Sequence, residues 1–188
     1  MVAVVRRPLG LAGGRWTEVV ADFGRLDGVA VPHVRTAFCA LGTTIAKAGS
    51  EVAFRAVDVD AVVAFARLAR RAGAKRFLLV SALGADPRSN VFYNRTKGEA
   101  EVAVKAIGFD GVALFRPSLL VGERAESRPV ERAAIVVSGL FSWAMAGPLA
   151  RWKPVPADAV AAAMVAVARE PLTCTRIVEN DEIHRLAQ

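Results

Sequence analysis

RFLLVSALGADPRSNVFYNRTKGEAEVAVKAIG, residues 76–108, reads as one complete strand–loop–helix unit. Arg76–Ser81 is a continuous apolar run, the signature of a strand buried on both faces. Gly84, Pro87, Ser89 and Asn90 then punctuate a loop. Phe92–Ile107 carries helical spacing, and Gly108 supplies the stop. A second apolar run follows at Val112–Arg116. Working outward, Val2–Val5, Glu18–Phe23 and Arg35–Leu41 read as strands, with a loop over residues 9–17. Val57–Arg71 reads as a helix that Gly73 terminates. Toward the C-terminus come helices at 130–147 and 156–169, a strand near Thr175–Val178 and a short terminal helix. Apolar strands alternating with helices indicate an α/β fold, a doubly wound parallel sheet covered on both faces. No internal repeat or linker divides the 188 residues, so one domain, 1–188, is expected.

Composition narrows the function classes. The chain is 54% hydrophobic and 23% charged, which excludes intrinsic disorder. Its net charge is +7, from 25 Lys+Arg against 18 Asp+Glu, but the cations are scattered among Ala and Val. No basic run with interleaved aromatics tracks a phosphate backbone, so nucleic acid is not an expected partner. Cys39 and Cys174 lie in apolar stretches without a Cys or His at metal spacing. They read as buried thiols of a reducing compartment, and no metal site is expected. With no signal segment recognisable at the start, the expected location is cytoplasmic. Residues 133–150 form an uncharged run between Arg132 and Arg151, interrupted by Gly147 and Pro148. They fit a buried or oligomer-interface helix better than contact with a membrane, which needs ~20 apolar residues to span.

In an open parallel sheet, ligands sit at the carboxyl ends of the strands. Arg6 and Arg7, Gly42-Thr43-Thr44, Ser81 and Arg116-Pro117 each follow a predicted strand. Tyr93 and Lys97 are four residues apart on one helix face. A phenol with pKa ~10 is a poor acid–base group at neutral pH, and a neighbouring ammonium favours the phenolate. Ser81, Tyr93 and Lys97 are therefore the catalytic candidates, Ser81 holding the oxygen that Tyr93 protonates or deprotonates. A solvated Tyr–Lys pair is the alternative. Arg6 and Arg7 suit a nucleotide 2′-phosphate and so favour NADP over NAD, unless they mark only a solvated turn. Glu123, Arg124, Glu126 and Arg128 form a mixed-charge loop that reads as a substrate mouth or a solvated face.

Four segments add a family resemblance: FCALGTTIAKAGSE (38–51), VSALGADPRSNVFYNRTKGEAE (80–101), FRPSLLVGERAESRP (115–129) and VENDEIHRL (178–186). Together they resemble the Tat-interactive protein family, an atypical branch of the short-chain dehydrogenase/reductases. The resemblance implies a Rossmann-type NADP-binding fold. By position, it implies that Arg6 and Arg7 contact the adenosine phosphate, with Asp22 and Phe23 beside the adenine. It likewise implies Leu41, Gly42 and Thr43 in the loop beneath the cofactor, and Pro117, Ser118 and Leu119 flanking the nicotinamide. Ser81, Tyr93 and Lys97 match the catalytic trio, with Lys97 also on the nicotinamide ribose. The family begins with a strand and a Gly-rich turn, whereas Gly13-Gly14 here lacks that spacing. One βα unit, including the first strand, is thus expected to be absent, leaving Val2–Val5 and Arg35–Leu41 to face a gap. The function implied is an NADP-dependent oxidoreductase acting on an unidentified carbonyl or hydroxyl small molecule. A non-catalytic, NADP-sensing or protein-interacting member, a homo-oligomer among its forms, and an inactive short form are the alternatives.

Overall fold

A computed structural model of the protein describes residues 1–10, 16–121 and 152–188. The expected helix at 130–147, the Gly13-Gly14 pair, the charged loop at 123–128 and the apolar run at 133–150 lie outside the described residues. No described helix is long and apolar enough to cross a membrane.

Among the described residues the β-structure forms three parallel sheets. Strands β1 (Val2–Val5) and β2 (Thr17–Val20) pair with each other. The central sheet has the order β3 (Thr36–Cys39), β4 (Arg76–Val80), β5 (Gly111–Arg116) and β8 (Thr175–Glu179). Short strands β6 (Leu120–Val121) and β7 (Val155–Pro156) form the third pair. Among the described residues no ladder joins β1 to β3, and these two strands lie in separate sheets. Apolar packing joins them instead. Val4 of β1 and Leu41, just past β3, both rest on the cluster of Phe23, Leu26, Ala61 and Leu68.

The period of two along a strand distributes the central sheet between two cores. Phe77 and Leu79 of β4 face Val62, Ala66 and Ala69 of α3 (Val62–Arg71) and Val104 of α4 (Phe92–Lys105). Leu78 faces the other way, with Ala113 and Phe115, onto Val160, Ala163, Met164 and Val167 of α5 (Ala157–Arg169). The terminal helix α6 (Asn180–Leu186) adds Ile183 to that second core.

The structure departs from the sequence reading mainly before α3. The predicted helix at 57–71 starts earlier, as α2 (Glu51–Arg55), with the Ser50 side chain capping the Ala53 N–H at 3.1 Å. A π-turn (Ala56–Ala61) then connects α2 to α3 without a break in the helix. One short helix was not anticipated: α1 (Ile45–Ala48), capped by Thr44 and closed by Gly49 at φ 80°. The second strand ends at Val20 because Asp22 starts a turn, its carboxylate accepting from Gly24 N at 2.9 Å. Cys174 is exposed, unlike the buried thiol expected; only Cys39 is buried.

Phe77 is fully buried and meets the rings of Phe65 and Phe109 at 6.0 and 5.0 Å between centroids. Phe77→Ala should therefore destabilise the chain by about 3–5 kcal/mol, read as a lower denaturant midpoint with an unchanged slope.

Candidate functional site

β4 ends at Val80, and its continuation is tied to the segment after β5. Ser81 N donates to Phe115 O at 2.7 Å, and Leu83 N to Pro117 O at 2.9 Å. This places Ser81 at the carboxyl end of the central sheet, 5% exposed, with its Oγ buried and lacking a protein partner. A buried hydroxyl without a partner is costly unless a ligand or water completes it.

The chain turns through Gly84, at φ 78°, and enters α4. Asp86 N donates to Asn94 O at 3.1 Å, tying the loop to the first turn of the helix. The loop passes so close to α4 that a Cβ on Gly98 would overlap Pro87 N and the Asp86 carbonyl carbon. Tyr93 and Lys97 share one face of α4, as their spacing predicted. Lys97 Nζ stands 6.0 Å from the centroid of the Tyr93 ring, and Phe54 of α2 backs that ring at 5.7 Å. Tyr93 is half-buried.

Lys97 is only 7% exposed, and its ammonium is neutralised by a residue the sequence reading did not select. Asp58, 1% exposed and in the middle of the π-turn, brings Oδ1 to 2.6 Å from Nζ. The approach is a charge contact rather than an aligned hydrogen bond. The second oxygen, Oδ2, accepts from Thr43 N at 2.9 Å. Gly42 lies against the same pair: a Cβ there would stand 3.3 Å from Asp58 Oδ1 and 3.5 Å from Lys97 Nζ. Gly42, Thr43 and Lys97 are thus gathered around Asp58. One signal could have found it. Phe54, Asp58 and Val62 recur every four residues and all three are buried, so Asp58 is the polar member of an apolar stripe.

A second buried charge lies one turn further along α4. Glu101 is 2% exposed and takes both arms of the Arg116 guanidinium, at 3.0 and 2.7 Å. Glu101, and less so Glu179, hold Arg116 above the ordinary arginine value despite the opposing effect of burial. Asn180, fully buried, accepts from Ser118 N at 2.9 Å and donates to Lys153 O at 2.8 Å. Ser118 Oγ donates to that same carbonyl at 2.6 Å. Pro117 is buried, and Leu119 is exposed. Burial first of all pushes the Cys39 thiol up to about 11, so at neutral pH it is protonated and is not a nucleophile.

The remaining candidates are placed apart from this group. Arg6 and Arg7 are exposed beyond β1, in the two-stranded sheet that also leads to Asp22. The Phe23 ring is not presented to a ligand. It is buried and packs on Phe65 at 6.4 Å.

No protein-family model matches the chain. Curated relatives do. Protein HTATIP2 of Rattus norvegicus is 43% identical over 131 residues, covering 68% of this chain and 54% of its own length. Protein FMP52, mitochondrial, of Coccidioides immitis is 36% identical over 159 residues, covering 80% of this chain and 65% of its own. The chain therefore spans about half to two thirds of the length of these relatives. Among solved structures, MoeE5 in complex with UDP-glucuronic acid and NAD superposes with a TM-score of 0.67 at 19% identity, over 95% of this chain and 67% of that one. RMD from Pseudomonas aeruginosa complexed with NADPH gives 0.61 at 14% identity, over 91% and 71%. At such identities the likeness establishes the fold, which is Rossmann-type. The mitochondrial designation of the fungal relative overturns the cytoplasmic location expected from the cysteines and the apparent lack of a signal segment.

Because no methyl fits between α4 and the Pro87 loop, Gly98→Ala should force the backbones apart and cost about 1–3 kcal/mol. Gly28, which has nothing within 4 Å, is the control: Gly28→Ala should stay within about 0.5 kcal/mol in the same denaturant titration.

Proposed function

We propose that this chain, which belongs to the family of the HTATIP2 and Fmp52 proteins, is an NADP-dependent oxidoreductase acting on a small carbonyl or hydroxyl compound. The observation that carries this is the Ser81 hydroxyl, buried at a strand end without a protein partner and followed by a helix presenting Tyr93 and Lys97. A substrate oxygen would complete Ser81. The fit to a dinucleotide is supported by the Gly42 backbone, which lies bare beside Lys97 and Asp58.

Lys97 would hold the nicotinamide ribose, and the Leu41-Gly42-Thr43 loop would pass beneath the dinucleotide. Pro117, Ser118 and Leu119, braced by Asn180, would flank the nicotinamide. Arg6 and Arg7 would take the 2′-phosphate by charge-assisted contacts. Asp22 and the backbone of Phe23 would border the adenine, because the Phe23 ring is committed to the core. The nicotinamide supplies the hydride chemistry that no side chain here can perform. In reduction, Ser81 donates a hydrogen bond to the substrate carbonyl oxygen and Tyr93 delivers a proton to it. In oxidation, Tyr93 removes that proton. The Lys97 ammonium favours the phenolate left after transfer. The substrate's identity is left to a screen, since fold analogy does not provide it.

Two measurements test this proposal. Fluorescence titration of the chain should show tighter binding of NADPH than of NADH. Replacing Arg6 and Arg7 together with Ala should erase most of that preference, roughly 1.5–3 kcal/mol or about 10- to 150-fold. Equal affinities before mutation would defeat the NADP assignment. With a panel of aldehydes and ketones, Tyr93→Phe should abolish NADPH oxidation while leaving NADPH affinity nearly unchanged, since only the ionisable hydroxyl is lost. Activity retained in the Phe variant would move the proton transfer to another group.

A further inference from the structure

We propose that Asp58 is a positioning residue of this site, one carboxylate that fixes Lys97 through Oδ1 and the backbone of the Gly42-Thr43 loop through Oδ2. This role rests on the oxidoreductase proposed above and goes further, naming the group that sets the position of its lysine. Three independent observations converge on it.

The first is burial. Asp58 is 1% exposed and Lys97 7%, and no other acidic side chain forms an ion pair with Lys97 among the described residues. A buried ammonium held by one carboxylate takes the position that the carboxylate dictates. The second is division of labour between the two oxygens. Nζ approaches Oδ1 at 2.6 Å while Thr43 N donates to Oδ2 at 2.9 Å, so the helix carrying Tyr93 and the loop after β3 are referred to a single rigid group. The third is local backbone. Asp58 sits within the π-turn, six residues of widened helix between α2 and α3. Such turns are rare in helices and are frequent at functional sites, where they re-aim a side chain.

The charged groups around Lys97 fit this picture. On α4, Glu101 is engaged by Arg116, and Glu99 pairs with Arg55 of α2. The thiol facing the pair from β3, Cys39, is held protonated by burial. Among the described residues Asp58 alone is left to neutralise Lys97.

The test uses Asp58→Asn, which keeps the shape and an acceptor for Thr43 N but removes the charge. Lysine acylation by acetic anhydride, mapped by mass spectrometry, gives a readout that needs neither cofactor nor substrate. The chain has five lysines, so Lys47, Lys75, Lys105 and Lys153 serve as internal standards. In Asp58→Asn, Lys97 should be acylated about ten times faster than in the unaltered chain while the other four keep their rates, because a lysine without its carboxylate is no longer held in place. NADPH affinity should fall about ten-fold in Asp58→Asn, but Asp58→Asn added to Lys97→Met should cause no further loss, the signature of two residues acting as one unit. An unchanged Lys97 rate would overturn the positioning role. So would an equal rise at all five lysines, which would make Asp58 a general prop of the fold. Additive losses of NADPH affinity would also overturn it. If the unaltered chain binds neither NADPH nor NADH, the oxidoreductase reading fails, and the Lys97 acylation rate still decides the role of Asp58.

Discussion

The close approach of α4 to the loop after β4 governs the geometry of the whole site. At Gly98 the helix backbone meets Pro87 and Asp86 with no space for a methyl group. That contact sets the distance between the end of β4, where Ser81 stands, and the face that carries Tyr93 and Lys97. A larger residue would force the helix off the loop. Side-chain volume is ordinarily spent on filling a core. Here its absence is what lets two backbone segments, the one that follows Ser81 and the one that carries Tyr93 and Lys97, pack directly on each other.

Along the same helix, charge is buried in two successive turns. Lys97 is matched by Asp58, and Glu101 by Arg116, so a basic and an acidic residue enter the interior from one element and each finds its partner on another. Charges removed from water are tolerated only when paired in this way, and their loss of solvation consumes much of the attraction. Their structural effect is to fix α4 against the π-turn on one side and the end of β5 on the other. The exposed pairs, such as Arg185 with Asp181 on α6, impose no comparable constraint.

What could be read from the sequence was local. The four strands of the central sheet, the helix stops at Gly73 and Gly108, and the shared face of Tyr93 and Lys97 follow from apolar runs, backbone freedom and helical spacing. These signals lie within a few residues of what they determine. Asp58 escaped because its partners are distant in the chain, and a lone Asp between Val57 and Val59 looks like the wet side of a helix. The π-turn escaped because hydrophobic periodicity does not distinguish it from ordinary helix. Phe23 shows the reverse limit. Its neighbour Asp22 suggests a ligand edge, yet the ring is directed into the cluster under α3. Cys174, in an apolar-looking stretch, ends on the surface because it lies just ahead of β8, in the connection from α5, where Thr173, Cys174 and Thr175 are all exposed.

The π-turn also bears on how this part of the chain can vary in length. A helical residue turns the chain by about 100°, and the widened turn absorbs one residue beyond the ordinary helical count. Loss of a single residue from 56–61 would let α2 and α3 merge into one regular helix with its two halves still in phase, because seven helical steps of about 100° return the chain to within about 20° of its starting direction. Phe54, which backs Tyr93, and Val62, in the core under the central sheet, would both still face inward. A one-residue deletion there would leave the flanking helices seated as they are and redirect only the side chains within the turn, Asp58 among them.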